Sequence, residues 1–131
     1  MLSIETTHTF SAAHALRLPT GGAEPLHGHD FHLTVRLAAD TLDALETVLD
    51  FHLLESAVEK IIAPFRNANL NDLEPFRAGI NPSAERIAEH IAMQLQRVLP
   101  TLDATAAGRH LRLTEVRLTE APNCLAIWTP D

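Results

Sequence analysis

One cysteine, no long apolar run and an excess of acid over base set the first limits on this chain of 131 residues. Cys124 stands alone, which excludes an internal disulfide and a thiol-rich metal site. No apolar stretch approaches the length of a membrane span. Met1-Leu2-Ser3-Ile4-Glu5 has neither a basic segment nor an apolar h-region, so a secretion signal is not expected and a cytoplasmic location is. Ten basic against seventeen acidic residues leave a formal net charge of −7, which argues against a nucleic-acid or membrane-surface binder. A small anionic substrate in a local pocket is still compatible with that charge. No glycine-rich phosphate loop, Ser-His-Asp order or Cys-x-x-Cys pair occurs. Repeats, low-complexity tracts and linkers are also missing, so residues 1–131 read as one domain with a full core.

What is present is histidine, eight in all. Leu26-His27-Gly28-His29-Asp30-Phe31-His32 opens an alternating run, and Phe10-Ser11-Ala12-Ala13-His14 precedes it. Side chains in a strand repeat on one face every second residue. His27 and His29 therefore point the same way, and His14 on a neighbouring strand completes a three-imidazole set. Three neutral nitrogen ligands with an open fourth position describe a catalytic zinc site better than a structural one. Such a set does not suit magnesium or calcium, while iron, copper and nickel accept it. Gly28 is expected to permit a close approach of backbone or ligand. His32 has the opposite parity and should face away. His8, His52, His90 and His110 carry no assigned role.

Ile4–Ala12 and His29–Ala38 read as strands. Thr41–Phe65 carries a helical stripe that Pro64 ends, although Thr47–Phe51 also suits the close of a strand. Asn81-Pro82 reads as the cap and first residue of a helix over Ala84–Leu99, stopped by Pro100. His110–Thr119 alternates with a slip at Thr114-Glu115 that suggests a bulge, and Cys124–Thr129 is a last strand. The order β-β-α-α-β-β predicts an α+β fold, an antiparallel four-stranded sheet with both helices on one face. Its two open edges predict oligomerisation by sheet extension.

The carboxylates are less specific. Glu24 lies just ahead of the histidine pair, where a general base would help, although a solvated loop glutamate is the plainer reading. Glu115 and Glu120 lie in or at the end of a strand, and a carboxylate there can hold an amidine-like edge in bidentate fashion. Glu85 suits the first turn of a helix by the macrodipole, and Ser83 suits a cap or a ligand contact.

Taken in order, Phe10–His14, Leu26–His29, Leu49-Asp50-Phe51, Asn81-Pro82-Ser83-Ala84-Glu85 and Leu118-Thr119-Glu120 resemble the 6-pyruvoyl-tetrahydropterin synthase family, which includes the bacterial 6-carboxytetrahydropterin synthases of queuosine biosynthesis. The resemblance implies the tunnelling fold, in trimers stacked into hexamers with active sites between subunits. It implies Zn2+ on His14, His27 and His29, and a dihydropterin triphosphate substrate. Glu120 would anchor the pterin ring, with Ser83 and Glu85 near it. It also implies a second strand running on to about Leu49 and a helix starting near His52. Two departures stand out. Ala23 occupies the place of the usual cysteine base, and Arg66-Asn67 the place of the usual Asp-His pair before Leu70-Asn71. A neutral amide orients but does not shuttle a proton. Glu24-Pro25-Leu26-His27-Gly28-His29 resembles a subgroup that carries glutamate instead of cysteine and cleaves the side chain of dihydroneopterin triphosphate.

Overall fold

The computed structural model describes residues 1–131. Two long strands, β1 (Leu2–His14) and β2 (His27–Ala39), pair antiparallel along their whole length. Helix α1 (Phe51–Ile62) follows, then the two-residue strand β3 (Ala68–Asn69) and helix α2 (Ala84–Leu102). Strands β4 (Arg112–Ala121) and β5 (Cys124–Trp128) close the chain. The sheet has five strands in the order β3-β1-β2-β4-β5. The four long strands are antiparallel as expected, but β3 lies parallel to β1 through Ala12–Ala68 and Ala13–Asn69, so the sheet is mixed. Two residues are too few to leave an alternating pattern in the sequence, and β3 covers only the site end of the β1 edge.

Alternation sets which face of the sheet is dry. Phe10, Phe31, Leu33, Val35, Leu37, Val116 and Leu118 are buried against Leu54, Val58 and Ile62 of α1 and Ile87, Ile91 and Leu95 of α2, in one core. The opposite face carries Glu5, Thr7, Thr9, Arg36, Thr34 and His32, so His32 turns away from the core as its parity requires. Between β2 and β4 the register shifts because Arg36 pairs with Glu115 and Leu37 with Leu113, which leaves Thr114 as the bulged residue.

Three expected boundaries are corrected. Strand β2 ends at Ala39, not near Leu49. The Asp43 carboxylate accepts bonds from Leu45 N, Thr47 N and Thr47 Oγ1, which curls residues 43–47 into a turn instead of a strand. Helix α1 then starts at Phe51, with Asp50 accepting from His52 N as its cap. At α2 the cap is Ser83, accepting from Arg86 N, and not Asn81. Pro100 lies inside α2, which runs on to Leu102. The proline removes one late hydrogen bond only, and the Thr101 hydroxyl donates to Val98 O at 2.6 Å in the same turn.

Candidate metal centre and its carboxylates

Register builds the site. His14 pairs with His27 across β1 and β2, and His29 pairs with Ala12, so all three imidazoles stand on the helix-covered face at one end of the sheet. One ring nitrogen from each lies within 4.8 Å of the other two. His14 is buried, His29 is partly so, and His27 is the open one at 40 % side-chain exposure. His14 Nδ1 is 2.7 Å from Pro82 O, and His27 Nδ1 is 2.8 Å from Pro25 O. Each of those carbonyls accepts from Nδ1–H, which leaves the Nε2 lone pair of His14 and His27 facing the cluster. The Nε2 atoms of His14 and His29 are buried and have no hydrogen-bond partner. Buried polar atoms are seldom left that way. A divalent ion bound by three neutral imidazoles would satisfy them, so the residues present fit a zinc-type site.

Two carboxylates flank the triangle. Glu24 Oε1 is 3.9 Å from His27 Nε2. Glu120 Oε1 is 3.2 Å from His14 Nε2 and 4.0 Å from His29 Nε2. Glu24 arrives on a tight loop in which Arg17 bridges Ala23 and Leu18 N donates to Gly22 O. Gly21 and Gly22 have φ of 96° and 74°, a region that glycine enters without penalty. Glu24 holds Leu16 at two points, donating its N–H to Leu16 O at 3.0 Å and accepting Leu16 N–H on Oε1 at 2.9 Å.

The residues on either side of Leu16 are clamped in the same way. Asn71 accepts from Ala15 N and donates to Ala15 O, at 2.9 and 2.7 Å. Asn81 accepts from Arg17 N and donates to Arg17 O, at 2.7 and 3.1 Å. Side chains from three separate segments thus fix the backbone just after His14. The sequence reading missed this role for Asn71 and Asn81, and missed Pro25 and Pro82 as imidazole orienters. No local signal marks them, because three of the four contacts join residues more than fifty positions apart.

Other expected positions fall outside this cluster. Ser83 spends its hydroxyl on the α2 cap, and Glu85 is exposed in the first turn; neither hydrogen-bonds to the histidines or to the two glutamates. Gly28 does not mark a close approach, since a Cβ there would meet Ala12 O at an ordinary 3.7 Å. Arg66 pairs with Glu59 and donates to Thr9 O, fastening α1 to β1, and its guanidinium holds the Glu59 carboxyl below the usual range. Asn67 has φ of 55° and donates its N–H to Ser11 O. These two residues, in the place of the usual Asp-His pair, make contacts that fasten α1 and the following loop to β1. Glu115 lies away on the bulge between Arg36 and Arg117.

The family model for 6-pyruvoyl tetrahydropterin synthase matches residues 3–131. The chain belongs to that family. It is thus an enzyme of the tetrahydropterin synthase kind. A 6-carboxy-5,6,7,8-tetrahydropterin synthase of Rickettsia felis is 28 % identical over 131 residues, spanning 88 % of this chain and 91 % of that protein. The fold matches that of Caenorhabditis elegans 6-pyruvoyl tetrahydropterin synthase with a TM-score of 0.80 at 18 % identity, over 99 % of this chain and 96 % of the other. Plasmodium vivax 6-pyruvoyltetrahydropterin synthase matches at a TM-score of 0.72 and 22 % identity, over 100 % of this chain and 99 % of the other. Its solved forms include two variants in which a glutamate described as a catalytic residue is replaced, by cysteine in one and alanine in the other. No helix of the chain is long and apolar enough to cross a membrane.

Proposed function

We propose that the chain is a zinc-dependent lyase that acts on the side chain of 7,8-dihydroneopterin triphosphate, with Glu24 as the base. The observation that carries this reading is the anchored Glu24 carboxylate, 3.9 Å from His27 Nε2. Zn2+ would be held by His14, His27 and His29, and when bound it supplies Lewis acidity toward a side-chain oxygen of the substrate. Glu24 Oε1 is engaged by Leu16 N–H, so its position is set and Oε2 is left to take the proton from the substrate carbon. Glu120 would grip the amidine-like edge of the ring through both oxygens. Ser83 and Glu85 would line the entrance beside it. The catalytic glutamate of the P. vivax enzyme supports this assignment, since Ala23 removes any thiol from the usual place. In a trimer or hexamer the exposed side of the site would be closed by a neighbouring subunit.

Purified, zinc-loaded protein should convert 7,8-dihydroneopterin triphosphate, and Glu24→Gln should lower the rate by two orders of magnitude or more, in line with general-base loss of about 10²–10⁴-fold. A Glu24→Gln enzyme as fast as the wild type would remove Glu24 from this role. The R. felis relative favours a second reading, 6-carboxytetrahydropterin synthesis with a glutamate base. Product analysis separates the two, 6-hydroxymethyl-dihydropterin for the first and 6-carboxytetrahydropterin for the second. Binding of substrate with no product would instead mark a non-catalytic zinc and pterin binder.

A further inference from the structure

Glu120 and His14 present an electrostatic problem that the lyase reading does not solve. His14 Nδ1 is committed to Pro82 O, so Nε2 of the neutral ring carries a lone pair. Glu120 Oε1 lies 3.2 Å from that nitrogen, and no hydrogen bond joins them. Two acceptor atoms at this distance repel unless a proton or a metal ion lies between them, and the lack of a hydrogen-bonding geometry favours the metal ion. The second contact, 4.0 Å to His29 Nε2, puts the same oxygen over a second unpartnered nitrogen. Tetrahedral zinc with bonds of about 2.0–2.1 Å separates its ligand atoms by roughly 3.3 Å. The oxygen therefore lies against two of the three nitrogens that would hold the ion, His14 Nε2 and His29 Nε2. Glu24 does not, because its oxygen nears only His27 and already accepts Leu16 N–H. Nothing else holds Glu120: its carboxylate makes no hydrogen bond to the protein, it is 29 % exposed, and the turn at Pro122-Asn123 follows two residues later.

We propose that Glu120 is the fourth metal ligand while no substrate is bound, and that substrate has to draw it away. This rests on the three-histidine metal reading above. One carboxylate cannot close the coordination sphere and also grip the ring edge. Arrival of the ring would therefore uncover the coordination position that the substrate oxygen takes, so the fourth position is open only when a pterin occupies the pocket.

Cobalt(II) reports this directly, because its visible absorption follows ligand number and type. The experiment compares cobalt spectra and chelator-competition affinities of the full-length wild type, Glu120→Gln, Glu120→Ala, Glu24→Gln and His27→Ala, each checked for folding by circular dichroism. The wild type should show an intense four-coordinate spectrum. Both Glu120 variants should change that spectrum and bind cobalt about tenfold or more weakly, while Glu24→Gln keeps the wild-type spectrum. Addition of 7,8-dihydroneopterin should shift the wild-type spectrum. If the wild type binds cobalt and His27→Ala does not, yet both Glu120 variants match the wild type, the fourth-ligand proposal is overturned alone. Wild type that takes up no cobalt, or His27→Ala that binds it normally, overturns the metal reading itself. A wild-type spectrum indifferent to the pterin overturns the release step.

Discussion

At the residue scale, the three-histidine cluster is framed by side chains that lie outside it. Asn71 replaces a strand neighbour for Ala15, and without it one donor and one acceptor beside His14 lose their partners. Asn71→Ala should cost about 1–3 kcal/mol in stability, as expected for buried backbone groups left unpaired. Because it positions His14, it should also weaken zinc binding by about tenfold, measured by chelator competition. Asp103 makes a different kind of contribution. Hydrogen bonds from the Thr105 backbone, from its hydroxyl and from Arg109 hold the Asp103 carboxyl below the usual carboxylate range. A depressed folded value stabilises the protein above the unfolded value and is lost as pH falls through the folded one. Urea midpoints should therefore drop as pH falls below about 4, the ordinary aspartate value. Asp103→Asn should flatten that decline.

At the element scale, the two ends of the sheet do separate work. The end with His14, His27 and His29 carries the candidate metal site. The far end is tied by Arg109, buried in the segment between α2 and β4, which donates to Thr41 O and Val48 O and pairs with Asp103. This one guanidinium holds the 40–50 turn against the start of β4. Arg109→Met should destabilise the fold by about 3 kcal/mol, because Asp103 and two carbonyls lose a buried partner. Zinc affinity should stay unchanged, since the metal end of β2 lies twelve residues away at His27. A loss of both together in denaturation and metal titrations would show that the two ends are coupled.

At the scale of the whole molecule, the β5 edge matters most. β3 covers part of the β1 edge, whereas β5 has no outer neighbour and leaves Leu125 and Ile127 exposed. An unpaired strand with apolar side chains is a template for another chain. We expect trimers or hexamers in sedimentation at micromolar concentration, and Ile127→Lys should shift the distribution to smaller species. A wild type that sediments as a monomer would remove the shared site and leave each site complete within one chain.

Local pattern determined the four long strands, helix α2 and the three histidines, and left the start of α1 open, because period-two and period-3.6 burial and a His-x-His spacing are written in neighbouring residues. The bulge at Thr114 was legible for the same reason, as a slip in alternation. Tertiary structure alone decided the rest. The turn at Asp43 ended β2 early through side-chain bonds that no periodicity announces. Strand β3, the Asn71 and Asn81 clamps and the Pro82 carbonyl depend on contacts between distant segments. So does the place of Glu120, which is brought against His14 only when β4 pairs with β2, whereas Glu24 is held by the loop it sits in. Hydrophobic periodicity is a local property of the chain. Coordination geometry is a property of register, and register exists only once the strands have met.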